Sequence, residues 1–234
     1  MNVLAMFIGG ILPYVAVFVF LGGMIYRFYV WFKTPQPGKM TLFPAPSSTA
    51  GSIISEALLF PSLFRSDKVL WIFSWVFHVT LAVVFLGHIR VFTGLIDSIL
   101  MAMGISGEGI NWMSGTFGGA AGIVLLATGI SLLIRRLLLK RVREISGVPD
   151  FFALLIILAI IITGDLMRFS GTHFDLEQTR VWAQSLLTFS PEVPKSAAFQ
   201  VHVLLSLLLI MFMPFSKILH FGGFFFTNAL IKRR

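Results

Sequence analysis

Five histidines, His78, His88, His173, His202 and His220, carry the clearest capacity for chemistry. Four of them fall in or at the end of two apolar stretches that are not neighbours in sequence. Ionisable groups inside a membrane span are costly and usually functional. A neutral imidazole costs less than a charge, yet its ring nitrogens still need partners. A lone histidine in an apolar helix is more often a packed, hydrogen-bonded side chain than a ligand. Two stretches with two histidines each argue for ligation.

The spacings are 10 residues for His78 and His88 and 18 for His202 and His220. At a rise of about 1.5 Å per residue, a helix starting near Val69 carries His78 about 14 Å and His88 about 29 Å along its axis. On a helix running the other way, His202 lies near the start and His220 about 27 Å further. His88 and His202 then share one level. His78 and His220 share the other, with an offset that tilt and a kink at Pro214 can absorb. Residues 18 apart lie on one face of a 3.6-residue helix, whereas residues 10 apart differ by about 80°. Two haems stacked across the membrane and rotated relative to each other would fit this pattern. His88 and His202 would hold the outer iron, His78 and His220 the inner. With both axial positions closed, such centres suit electron transfer and not oxygen chemistry. His173, in a polar loop near Asp165, Asp175 and Glu177, reads as a solvated side chain.

The elements that must position these residues follow from composition. The 234 residues are 57% hydrophobic and 12% charged, with a mean hydropathy of +0.92. Soluble domains average about 25% charged residues, so a water-facing surface cannot be covered. Five apolar runs approach or exceed the ~20 residues a membrane helix needs: Val3–Tyr29, Val69–Ile96, Met113–Ile134, Phe151–Leu166 and Ala198–Leu219. The fourth is short. The runs are continuous rather than alternating and so read as helices. The expected fold is an all-α transmembrane five-helix bundle, residues 1–234 forming one domain. There is no cysteine, which removes thiolate iron–sulfur ligation and covalent haem attachment from this chain. The N-terminal run has no preceding Lys or Arg and no small-residue cleavage site, and reads as a retained span.

Basic residues set the expected orientation. With the N-terminus outside, 14 of 18 fall on the cytoplasmic side. They are Arg27, Lys33, Lys39, Arg65 and Lys68, then Arg135, Arg136, Lys140, Arg141 and Arg143, and finally Lys217, Lys232, Arg233 and Arg234. Only Arg90, Arg168, Arg180 and Lys195 stay outside, a strong positive-inside bias that also puts the C-terminus inside. The expected location is the cytoplasmic (inner) membrane, multi-pass. These charges flank spans, which excludes a nucleic-acid partner.

The first connection, about residues 30–68, is Pro-rich and then reads SIISEALLFPSLF, which fits a short amphipathic helix at the membrane surface; the connection is either a solvated linker or a docking surface for a cytoplasmic partner. THFDLEQTRVWAQSLLTF in the fourth connection predicts a helix on the outer surface. Gly115 and Gly119, and Gly118 and Gly122, are four apart, so a second helix or a flat macrocycle can approach the third span there. No internal repeat suggests an inverted-repeat transporter.

Four segments resemble the respiratory nitrate reductase gamma-subunit family of membrane cytochromes b. They are FHVTLAVVFLGHIRVF at 77–92, TFGGAAGIVLLATGISLLIRRLL at 116–138, VWAQSLLTF at 181–189 and VHVLLSLLLIMFMPFSKILHF at 201–221. With the five spans, the likeness covers nearly the whole chain. The resemblance implies the same ligand pairs, His88 with His202 and His78 with His220. TPQPGKM…FPAP, ALLFPSLF and HFGGFFF are similar to the DsrM-type membrane cytochrome associated with dissimilatory sulfite reduction. That likeness implies menaquinol as donor, a cytoplasmic iron–sulfur subunit as partner and further subunits of a membrane complex. One feature departs from the nitrate reductase type, which has a lysine before the Gly-rich span. Here GEGINWMSG holds Glu108, Asn111 and Trp112 instead.

The expected chemistry is quinol oxidation near the outer haem, with electrons passing inward. Candidate proton acceptors are Asp97, Glu108 and Asp165, with Arg90 and Arg168 as orienting cations. Taken singly, each reads as an interfacial charge facing water. A nitrate reductase gamma subunit is the rival within the class, and a non-redox membrane anchor the rival outside it.

Overall fold

The computed structural model describes residues 3–34, 49–170 and 175–220. His173, Lys39, Lys232, Arg233, Arg234, most of the Pro-rich segment and the FGGFFF run after His220 lie outside the described residues. Within them the chain is helical and has no strand. In order the helices are α1 (Val3–Lys33), α2 (Thr49–Leu59), α3 (Pro61–Ser66), α4 (Lys68–Phe92), α5 (Leu95–Ala102), α6 (Gly107–Leu138), α7 (Lys140–Glu144), α8 (Val148–Phe169), α9 (Leu176–Leu187) and α10 (Ala197–Phe212). Five spans are long and apolar enough to cross a membrane: α1, α4, α6, α8, and α10 continued through the turn that follows it to Phe215. The chain is a multi-pass membrane protein.

The spans alternate in direction. One end of the bundle holds the start of α1, the end of α4, and α5 and α9. There Trp182 donates its indole N–H to Gly9 O (2.8 Å) and Tyr14 donates to Leu186 O (2.8 Å). The other end holds α2, α3 and the end of α10, where Arg27 donates to Pro214 O (2.7 Å) and Lys217 meets Asp150 (2.8 Å). In the core, Ile8, Leu12 and Ala16 of α1 pack with Trp182, Phe199, Val203 and Leu207 towards the α9 end. A second cluster, Phe77, Leu125, Leu158 and Ile161, joins α4, α6 and α8.

Several boundaries differ from those expected, each for a local reason. The second span stops at Phe92 and not Ile96, because Thr93 turns extended and its hydroxyl accepts from Leu95 N (3.1 Å), starting α5 separately. α6 runs beyond Met113–Ile134 at both ends: Ser106 caps it, accepting from Gly109 N (3.1 Å), and polar Glu108, Asn111, Arg135 and Arg136 remain helical. Hydropathy marks only the lipid-deep part of a helix. The short fourth run belongs to the 22-residue α8, opened by Pro149 and by Asp150 accepting from Gly147 N (2.9 Å). α9 does not merely lie on the surface, since Trp182 and Ala183 insert into the core. α10 gives way at Pro214 to two 3-10 turns, Met213–Phe215 and Lys217–Leu219, with Ser216 extended between them. Proline has no N–H to continue the helix and its ring crowds the preceding turn.

Candidate functional site

The histidines of α4 and of the α10 segment meet in two pairs. His88 and His202 have ring centres 6.3 Å apart and planes 14° apart. His78 and His220 have ring centres 6.0 Å apart and planes 89° apart. α4 leans on α6 and α9, and α10 on α8 and α1, so the paired rings bridge two helices that do not pack along their length. Because of the Pro214 break, His220 does not reach its place by helical register from His202, as an 18-residue repeat would have it. The 3-10 turns carry it there.

All four imidazoles are oriented through Nδ1. His78 donates to Ser74 O and His88 to Val84 O, each at 2.7 Å. His220 donates to Lys217 O at 3.0 Å. A carbonyl can only accept, so in these rings Nδ1 carries the proton. His202 Nδ1 lies 2.9 Å from Thr163 Oγ1, whose own hydrogen points to Ala159 O and Ile160 O (3.0 and 2.9 Å). That hydroxyl therefore accepts from His202. Gly164 makes room for this ring, since a Cβ there would sit 3.3 Å from His202 Cε1.

With Nδ1 protonated, each Nε2 keeps its lone pair for a metal, and the Nδ1 bond raises ligand basicity. Two imidazoles ligating one metal at about 2 Å have ring centres about 6 Å apart. Both pairs meet that distance. Two protein ligands per centre are what an iron already held by four porphyrin nitrogens requires. Among the described residues no group of three or more His, Cys, Asp or Glu forms a protein-only metal site. The residues present fit bis-histidine haem.

Near His88 lies a charged cluster. Asp97 of α5 accepts from Arg90 Nε (2.6 Å) and Arg180 Nη2 (2.7 Å). Arg90 also reaches Asn111 Oδ1 (3.2 Å), and Arg180 Nε donates to Arg90 O (2.8 Å). Burial alone would push the Asp97 carboxyl up, but the bonds from Arg90 and Arg180 hold it below the usual carboxylate range. The cluster ties α4, α5, α6 and α9 together. Arg90 and Asp97 are thus brought together, with Arg180 and Asn111 as partners that sequence reasoning missed. Their contacts span up to 90 residues, and no local spacing announces them.

Asp165 and Arg168 sit on α8 against the glycines of α6. A Cβ at Gly122 would collide with the Asp165 carboxylate, and one at Gly118 would lie 3.0 Å from the Arg168 guanidinium. Arg168 donates to Ser114 O (3.0 Å). Gly118, Gly119 and Gly122 therefore admit side chains of α8, while a Cβ at Gly115 would meet nothing within 4 Å. Glu108 is exposed in the first turn of α6. At the opposite end, Asp67 caps α4 and binds Arg135 (2.8 Å). The Leu70 amide and then Arg135 hold its carboxyl below the ordinary value.

A family model described as the nitrate reductase gamma subunit matches residues 61–233. The chain is 31% identical to a protein of Archaeoglobus fulgidus named Hdr-like menaquinol oxidoreductase cytochrome b-like subunit, over 94% of this chain and 77% of that one. It is 28% identical to the protein of the same name from Archaeoglobus profundus, over 95% and 78%. It is 30% identical to the respiratory nitrate reductase 2 gamma chain of Escherichia coli, over 68% and 72%. With five membrane-spanning helices and two facing histidine pairs, the chain belongs to the nitrate reductase gamma subunit family.

Proposed function

We propose that this chain is the dihaem b membrane subunit of a respiratory complex. It takes electrons from menaquinol on the outer side and passes them to a cytoplasmic iron–sulfur subunit of a sulfur-metabolising assembly in the inner membrane. The observation that carries this is the pair of facing imidazole couples, His88 with His202 and His78 with His220, each ring oriented through Nδ1. Membership of a family of quinol-linked electron-transfer subunits supports the class. The two Archaeoglobus relatives, both named menaquinol oxidoreductase subunits, support the quinone.

Haem supplies, when bound, a one-electron carrier at each of the two levels. The chain's own residues orient it and manage protons. Thr163 and the α4 carbonyls fix the ligand rings. The Arg90–Asp97–Arg180 cluster holds the end of α4 beside His88. Menaquinol oxidation releases two protons and two electrons. Asp97, engaged by two guanidinium groups, suits holding that end of the bundle better than accepting a proton. Asp165, beside Arg168 and among apolar helices, and Glu108, open to water, are the proton-accepting candidates. In the orientation read from the basic residues, protons leave outside while electrons leave inside, so turnover separates charge. The whole of residues 1–234 acts as one unit in this scheme.

A reduced-minus-oxidised spectrum with a pyridine haemochrome assay tests it. About two b haems per chain are expected. A folded preparation without haem would leave only the role of a membrane anchor. The E. coli relative supports a second reading, a subunit feeding a nitrate-reducing partner. Identification of the copurifying subunits separates the two.

A further inference from the structure

Resting on the two-haem proposal, we infer that α2 and α3 form a fitted cover over the His78–His220 site, and that Phe60 is the positioning residue that seats the cover on His78.

Phe60 stands at the corner between the two helices with φ 50° and ψ 47°. A residue with a Cβ enters this left-handed region at a cost, and such strain persists only where surroundings impose it. Pro61 follows and disfavours the right-handed alternative. Three contacts then hold the corner. Glu56 Oε1 accepts from the Ser62 amide (3.2 Å) and from the Ser62 hydroxyl, clasping α2 to α3. Trp71 and Trp75 of α4 donate their indole N–H groups to Leu59 O (2.7 Å) and Leu58 O (2.9 Å). The two indoles stack at 5.8 Å, and Phe64 of α3 packs edge-on against Trp71 at 5.0 Å.

The product of these constraints is a phenyl ring aimed at a haem ligand. Phe60 meets the His78 ring edge to face at 5.4 Å and 88°. Phe77 flanks the same imidazole at 5.5 Å, and His220 faces it across the site. A segment that only lay on the lipid surface would need neither two tryptophan anchors into its last carbonyls nor a strained corner. The cover restricts rotation of His78 and keeps water from that level. Oxidised haem carries one more positive charge than reduced haem, so a drier, less polar surround disfavours the oxidised form and raises the potential.

The test is a potentiometric titration of the full chain in its membrane complex, following the b-haem absorbance, with the inner haem identified as the one lost in His220→Ala. Phe60→Gly removes the ring but suits the left-handed backbone, so the corner is kept while the contact goes. The inner midpoint is expected to fall while the outer stays. Trp71→Phe, which loses the bond to Leu59 O, is expected to shift it less, in the same direction. Phe60→Tyr, which keeps the ring, is expected to retain the wild-type value. Loss of the inner haem alone in Phe60→Gly, with retention in Phe60→Tyr, also supports the cover. Two unchanged midpoints, or equal shifts in both, overturn it while leaving the dihaem proposal intact. Absence of haem from the unaltered chain overturns the dihaem proposal itself.

Discussion

His78 and His220 meet with ring planes crossed at 89°, while His88 and His202, one level away, lie within 14° of parallel. The difference comes from the backbone that delivers each residue. His202 sits in regular α-helix, its ring turned by Thr163. His220 follows the 3-10 turn beyond Pro214, and its ring is set by Lys217 O in the same turn.

Ligand-plane angle has a magnetic consequence. Each imidazole donates π density into the iron orbital perpendicular to its ring. Parallel rings raise one of two such orbitals and split them, whereas crossed rings leave them nearly degenerate. In the proposed dihaem subunit, the oxidised haem of the His78–His220 pair is expected to show the larger g anisotropy in electron paramagnetic resonance. His220→Ala should remove that signal and His202→Ala the other. Two indistinguishable signals would contradict the geometry.

Thr163→Val keeps the side chain's size and deletes the acceptor for His202 Nδ1. Loss of such a support typically costs 10–100-fold in metal affinity. Haem at the outer level should be retained about tenfold less tightly. Its midpoint should rise, because a less basic imidazole stabilises the oxidised iron less. Haem content and a redox titration measure both effects, and an unaltered outer centre would show Thr163 to be a bystander.

The glycines of α6 are not equivalent. Gly122→Ala drives a methyl group into the Asp165 carboxylate, and overpacking of this kind costs about 1–3 kcal/mol. Gly115→Ala meets open space and gains up to about 1 kcal/mol of helix propensity. Thermal inactivation in detergent should place the two variants on opposite sides of wild type.

Asp97→Ala leaves Arg90 and Arg180 without their shared carboxylate. Hydrogen bonds to charged groups contribute about 1.5–3 kcal/mol, so a loss of about 2 kcal/mol is expected. The pH dependence has a definite sign. The folded-state carboxyl is held below its unfolded value, so its stabilisation is present above about pH 3.9 and lost as pH falls through the lower folded value. The Asp97→Ala variant should lack that part of the acid-induced loss, as acid unfolding monitored by helicity would reveal.

Much of the molecule is determined along the chain itself. The five spans follow from continuous apolar runs, because backbone in lipid must satisfy its own hydrogen bonds and helices alone do so locally. The levels of His78, His88 and His202 follow from a constant rise per residue. The arrival of His220 does not, because Pro214 ends the register on which its face was counted. Other features belong to tertiary structure alone. Arg180 reaches Asp97 across 83 residues, Thr163 reaches His202 across 39, and Trp71 fixes Leu59 across a strained corner. Hydropathy and helical period report one element at a time. Which polar side chain of one helix meets which group of another depends on helix packing and on breaks such as Thr93, Phe60 and Pro214, and those are decided only when the bundle closes.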